Sequence, residues 1–205
     1  AQAARVSDMA PALFAQDFSV RSIESAVHDE LYSLAEQQIW RALSLNRTLE
    51  EETDLTLLLV RTLTGQGRFE EAVILADESA HLLKQDAFIY WKAHALVEAD
   101  RFNEVFQTLE KLPANSKFAP SALRLQGRTR QAAGDLKEAE SCYERFSEHY
   151  ATDADAEQNL LDLATVQLER DRQSAAEQTM KKLLEQFPAS QLADTVRLLL
   201  ARRLI

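Results

Sequence analysis

Four glycines, four prolines and one cysteine in 205 residues leave little material for tight turns and none for an internal crosslink. A sheet-rich fold needs turn residues every few positions, so this scarcity points away from strands and toward helix. Cys142 stands alone; it cannot form an intrachain disulfide, a C-x-x-C redox motif or a cysteine zinc site, and it reads as a small apolar core residue. No apolar run approaches a membrane span, so direct membrane insertion is not expected. Basic residues are also in deficit: 23 Lys and Arg against 33 Asp and Glu give a formal charge of -10, which argues against nonspecific binding to nucleic acid or an anionic bilayer.

Reagents for catalysis are equally sparse. Gly65, Gly67, Gly127 and Gly134 do not assemble a phosphate-cradling loop followed by Lys-Ser/Thr. His28, His81, His94 and His149 form no His-x3-His pair, and no Glu sits at zincin spacing. His28-Asp29-Glu30 reads as a solvated turn, and Glu50-Glu51-Glu52 as favourable charge at a helix N-terminus. The expectation is a chain that is not an enzyme, with no cofactor and no metal.

What the chain does have is a recurring phrase, in which a turn is followed by an apolar residue and, three places later, a small one. Gly67-Arg68-Phe69-Glu70-Glu71-Ala72, Asp100-Arg101-Phe102-Asn103-Glu104-Val105 and Gly134-Asp135-Leu136-Lys137-Glu138-Ala139 are clear copies, and residues 171–176 a degenerate one. Steps of 33, 34 and 37 residues separate Ala72, Val105, Ala139 and Ala176, the period of a helical repeat array. Thr48 with Glu51 predicts a capping box ahead of the stripe Leu55, Leu58, Leu59 and Leu63. After the break at Gln66-Gly67, the stripe Phe69, Ala72, Val73, Ala76 and Leu83 must fold back, because so short a break allows only an antiparallel hairpin.

The same pairing is predicted for 88–98 with 102–112, 120–133 with 136–150, and 156–169 with 174–187. Upstream, Tyr32, Ala35, Ile39 and Ala42 repeat the second-helix pattern 37 residues before Ala72, paired with a first helix over 18–27. A single bent helix over 20–46 is the competing reading. Residues 1–17 lack periodicity and are expected to form a flexible tail ahead of one helical repeat domain over 18–205. After Pro188, Ser190 is a helix N-cap, and Leu192, Val196, Leu199 and Leu200 make the stripe of a last helix over 190–205 that either caps the array or begins a further repeat.

These residues resemble the tetratricopeptide repeat, whose pattern is Trp-x2-Leu-Gly-x2-Tyr, then Ala-x3-Phe, then Pro. Gly127 stands at the pattern's Gly, Ala139-x3-Tyr143 at its Ala-x3-Phe, and Ala176-x3-Met180 with Pro188 at its Ala, Phe and Pro. The matches run over 48–205. Trp is absent from the first position, Arg130 replaces the Tyr, and Val105 replaces the small residue. The resemblance implies an all-α, right-handed α-solenoid of four to five antiparallel helix hairpins, acting as a noncatalytic protein-binding scaffold. Residues 187–190, Phe-Pro-Ala-Ser, are similar to the bacterial cell-envelope branch of the family. With the first residues Ala-Gln-Ala-Ala, which look like a mature secreted start, they imply a periplasmic or envelope location, a cytoplasmic one being the alternative.

In that family the first helix of each pair lines a concave groove. Positions carried over by the resemblance are Leu57, Leu58 and Arg61; Tyr90, Trp91 and His94; Arg124, Leu125 and Arg128; and Leu161, Asp162 and Thr165. The candidate partner-binding set is Arg61, Tyr90, Trp91, His94, Arg124 and Arg128, residue types that dominate binding hot spots. The bland alternative is that the aromatics pack between repeats and the arginines pair with neighbouring carboxylates. The carboxylate clamp of chaperone-binding members is missing, its positions reading Leu57, Arg61, Trp91, Ser121 and Leu125. The expected partner is a protein or peptide with an acidic or apolar segment; a homo-oligomer through 190–205, or a role as accessory domain of a larger protein, are the other readings. If the register is right, Ala139→Leu lowers stability by about 1–3 kcal/mol through overpacking, and a thermal melt equal to wild type would refute it.

Overall fold

In the computed structural model, residues 19–190 are described, together with 192, 194, 196 and 198. The tail over 1–17 and most of the predicted last helix over 190–205 lie outside the described residues. Ten α-helices follow one another among those described: α1 Val20–His28, α2 Tyr32–Leu43, α3 Leu49–Gly65, α4 Phe69–Glu78, α5 Gln85–Glu98, α6 Phe102–Leu109, α7 Ala119–Ala132, α8 Leu136–His149, α9 Ala156–Glu169 and α10 Gln173–Gln186. They pack as sequential antiparallel pairs. The chain divides into two compact units within α5, one up to Ala95 and one from Leu96.

Each pair closes through the same turn. Glu30, Gly67, Asp100, Gly134 and Asp171 all have positive φ, between 57° and 81°. At every one, the amide of that residue donates to the carbonyl three back, and the next amide to the carbonyl five back, as in Gly67 to Thr64 and Arg68 to Leu63. This is the Schellman arrangement, which satisfies the last carbonyls of a helix. The next residue then opens the second helix, as Leu31, Arg68, Arg101, Asp135 and Arg172. The turn at 29–31 settles the upstream ambiguity: α1 and α2 are two helices, not one bent helix.

Four residues into each second helix stands the small residue of the phrase. Ala35, Ala72, Val105, Ala139 and Ala176 are all fully buried. Where the first helix also contributes a glycine, the approach is closer. A Cβ at Gly127 would fall 2.5 Å from the ring of Tyr143, which is itself fully buried and donates its hydroxyl to Gln131 Oε1 at 3.2 Å.

In the first unit, α3 packs on α1, α2 and α4 and is buried on most sides. Its threonines remain compatible with that burial because Thr53, Thr56, Thr62 and Thr64 each donate to the carbonyl four residues back. Thr48 and Glu51 form the predicted capping box. The stripe of α4 needs correction. The helix stops at Glu78, where the Ser79 hydroxyl donates to Leu75 O and a short 3₁₀ turn, Ser79–His81, takes over. Leu82 is thereby buried and the predicted Leu83 exposed.

In the second unit, Leu123, Cys142, Phe146 and Ala156 form one core cluster, and Leu160, Ala164, Met180, Leu183 and Val196 another. Burial pushes the Cys142 thiol above its usual pKa. Ser190 accepts from Leu192 N at 2.8 Å, as the predicted cap requires, and Val196 is buried. Asn159 is buried inside the stack and donates to Tyr143 O and Ser147 Oγ, tying α9 to α8.

Two substitutions test this account. Glu30→Gly relieves a left-handed residue that carries a Cβ and raises stability by about 1 kcal/mol. Gly127→Ala drives a methyl into a ring that cannot retreat and lowers it by about 1–3 kcal/mol. Urea denaturation of each variant beside wild type measures both shifts; the same sign for the two would refute the assignment of the turns or the crossing.

Candidate functional site

Arg61 leaves α3 one residue after Val60, and Tyr90, Trp91 and His94 lie on the following first helix, α5. All four are half-buried. The Arg61 guanidinium lies over the Trp91 indole, 4.7 Å from the ring centroid. Tyr90 meets Trp91 edge to face, with centroids 5.2 Å apart at 72°, and His94 stands 5.5 Å from Trp91 at 48°. The first unit therefore brings four of the six predicted residues into one cluster of three rings under a cation.

The other two belong to the second unit and are differently engaged. Arg124 donates to Asp162 at 2.8 Å and stands 3.7 Å from Asp155. Arg128 reaches Glu98 at 3.5 Å. Both are half-buried and ion-paired, which is the arrangement of the bland alternative. Three further positions from the wider set are excluded as ligand contacts: Leu57, Leu58 and Leu125 are buried in the packing. For Leu57 and Leu58 the reason is the enclosure of α3 by three other helices.

Sequence reading missed a pair of charge sites between neighbouring hairpins. In the first unit Glu36, directly after Ala35, accepts from Gln66 at 2.9 Å and Arg68 at 2.7 Å. In the second unit Glu140, directly after Ala139, accepts from Arg170 and, at 2.5 Å, from Arg172, and is 1% exposed. The offsets of 30 and 32 residues are identical in both sites. A Glu after the small residue and an Arg 32 places on was therefore a legible signal. Arg130, in place of the pattern's Tyr, lies 4.2 Å over Phe106 and pairs with Asp135.

Among the described residues, no cluster of His, Cys, Asp and Glu could hold a metal ion, and no helix is long and apolar enough to cross a membrane. Burial pushes the Tyr143 phenol far above its ordinary value, and the side chain is a packing residue.

Residues 158–190, over α9, α10 and the turn beyond, match the family model of the tetratricopeptide repeat. Solved structures of tetratricopeptide-like proteins share the fold more widely. MamA residues 41 to end from Desulfovibrio magneticus RS-1 is 15% identical, covering 85% of this chain and 98% of that one at a TM-score of 0.59. A Podosopora anserina putative kinesin light chain with nearly identical TPR-like repeats is 16% identical, covering 84% and 95% at 0.60. BtubC (BKLC) from P. vanneervenii is 18% identical, covering 82% and 77% at 0.60. At these identities the similarity is one of fold. No curated protein matches the sequence significantly.

The charge site at Glu36 carries a pH signature. Hydrogen bonds from Gln66 and Arg68 hold its carboxyl below the ordinary value of 4.5. A depressed folded-state pKa means the stabilisation is complete above 4.5 and is lost as the pH falls through the lower folded value. The melting-temperature gap between wild type and Glu36→Gln should therefore be open at neutral pH and close in strong acid. A gap that stays constant would remove Glu36 from the account.

Proposed function

We propose that this chain is a noncatalytic interaction scaffold that receives a protein or peptide partner over the Trp91 cluster. Tetratricopeptide repeat domains generally act in this way. The observation that carries the reading is the cluster itself: three rings and a guanidinium, partly exposed, on the first helices of successive pairs. Aromatic and arginine side chains contribute large contact area at small conformational cost, and they dominate measured hot spots. Arg124 and Arg128 are separate candidate contacts of the second unit, where a partner's carboxylate would compete with Asp162 and Glu98 for the guanidiniums.

A second reading, self-association through residues 190–205, is favoured by Leu198, which is over half exposed. It predicts a solution mass that grows with concentration and reverts in Leu198→Glu. The role of accessory domain in a larger protein is compatible with either. An envelope location is proposed from residues 187–190, and cell fractionation of the tagged protein tests it.

For the scaffold reading, displayed peptides selected on wild type should lose roughly tenfold or more of their affinity for Trp91→Ala, the loss of one hot-spot anchor. Clones that bind both proteins equally would take the cluster out of the binding site.

A further inference from the structure

We propose that the Trp91 cluster selects peptides carrying an internal aspartate or glutamate side chain flanked by bulky apolar residues, with Arg61 as the group that reads the carboxylate. This rests on the scaffold reading above and adds the chemistry of the partner. The other cations of the candidate set are already matched. Arg124 holds Asp162 and Asp155, and Arg128 holds Glu98. Lys92, beside the cluster on α5, grips both oxygens of Asp77 at 2.6 and 2.7 Å.

Arg61 differs. No carboxylate of the described residues pairs with it, although the chain carries ten more acidic than basic groups. On its own helix the positions three and four residues away are Leu57, Leu58, Thr64 and Gly65, none of them acidic. A half-buried guanidinium so placed has lost part of its hydration without gaining a counter-ion among the described residues. A guanidinium that contacts an indole with its flat face keeps its in-plane N–H edges for an acceptor. That edge is the one that takes a carboxylate through two parallel hydrogen bonds.

The surroundings set the context of the acid. The rings of Tyr90 and Trp91 form the apolar surface beside Arg61, Leu57 and Leu58 being buried out of a ligand's reach. One cation among apolar groups suits one acidic side chain with apolar neighbours. A terminal carboxylate carries the same single charge but ends the chain at the cation, leaving apolar residues on one side of it only. Competing local charge is tied up: Asp77 is held by Lys92 and Asp54 by Lys84.

The test uses the full chain and three pools of fluorescein-labelled short peptides read by anisotropy. The first pool has a central Asp within randomised Phe, Leu, Ile and Val positions and an amidated C-terminus. The second replaces Asp by Asn, and the third is the Asn pool with a free C-terminal carboxylate. Wild type should bind the Asp pool roughly tenfold or more tightly than the Asn pool, the worth of a charge-assisted hydrogen bond. Arg61→Met should erase that preference, and Arg61→Lys, which keeps the charge and loses the planar fork, should retain only part of it; unchanged helical melts show that both variants fold.

Equal affinity for the Asp and Asn pools, with both lost in Trp91→Ala, overturns the acidic selectivity and leaves the scaffold reading standing. A preference for the free-carboxylate pool over the Asp pool overturns the choice of an internal acid. Failure of every pool to bind wild type, or binding undiminished in Trp91→Ala, overturns both readings.

Discussion

Everything in this chain depends on how closely two helix backbones can lie at each hairpin crossing. Apolar burial drives the pairing, yet its strength is fixed by distance, and distance is fixed by what stands at the crossing. A residue no larger than valine occupies that place in all five second helices and is shielded from water in each. At Gly127 the limit is absolute, because the Tyr143 ring already fills the volume a methyl would need. The turns follow from the same demand. Only a left-handed residue immediately after the first helix reverses the chain quickly enough to keep the second one in contact, and the pattern recurs whether that residue is Gly, Asp or Glu.

Close packing leaves few options for polar groups inside the stack. Thr hydroxyls in α3 satisfy themselves on their own helix, while Asn159 bridges two helices. Glu140 is deeper than any other carboxylate that pairs among the described residues, and it is matched by two arginines from the next hairpin. Such an arrangement adds little net stability over an apolar pair but penalises any register in which the guanidiniums miss the carboxylate. Hydrophobic contacts decide that the hairpins stack; the Glu and Arg offsets specify which residue meets which.

The architecture was legible because its signal is periodic. A phrase repeated at 33 to 37 residues located the pairs, and the helix over 156–169 has the bounds the pattern implied. Departures came where a local hydrogen bond outweighed periodicity, as when Ser79 ended α4 and turned Leu83 outward. The candidate site was only half legible. The family resemblance put Arg61, Tyr90, Trp91 and His94 among the groove positions, and the structure brings these four together. Spacing could not say that Arg124 and Arg128 have carboxylate partners, since those lie 31 and 38 residues downstream for Arg124 and 30 upstream for Arg128. Nor could a count of positions along α3 reveal that three other helices enclose Leu57 and Leu58.

The five equivalent turns also give the protein a set of internal clocks. The amide hydrogens of Leu31, Arg68, Arg101, Asp135 and Arg172 each span the turn to a carbonyl five residues earlier, in nearly the same geometry. Their exchange with deuterated solvent depends on how often each hairpin opens, with little difference in intrinsic geometry to obscure the comparison. One amide per hairpin thus ranks the local opening free energies along the chain.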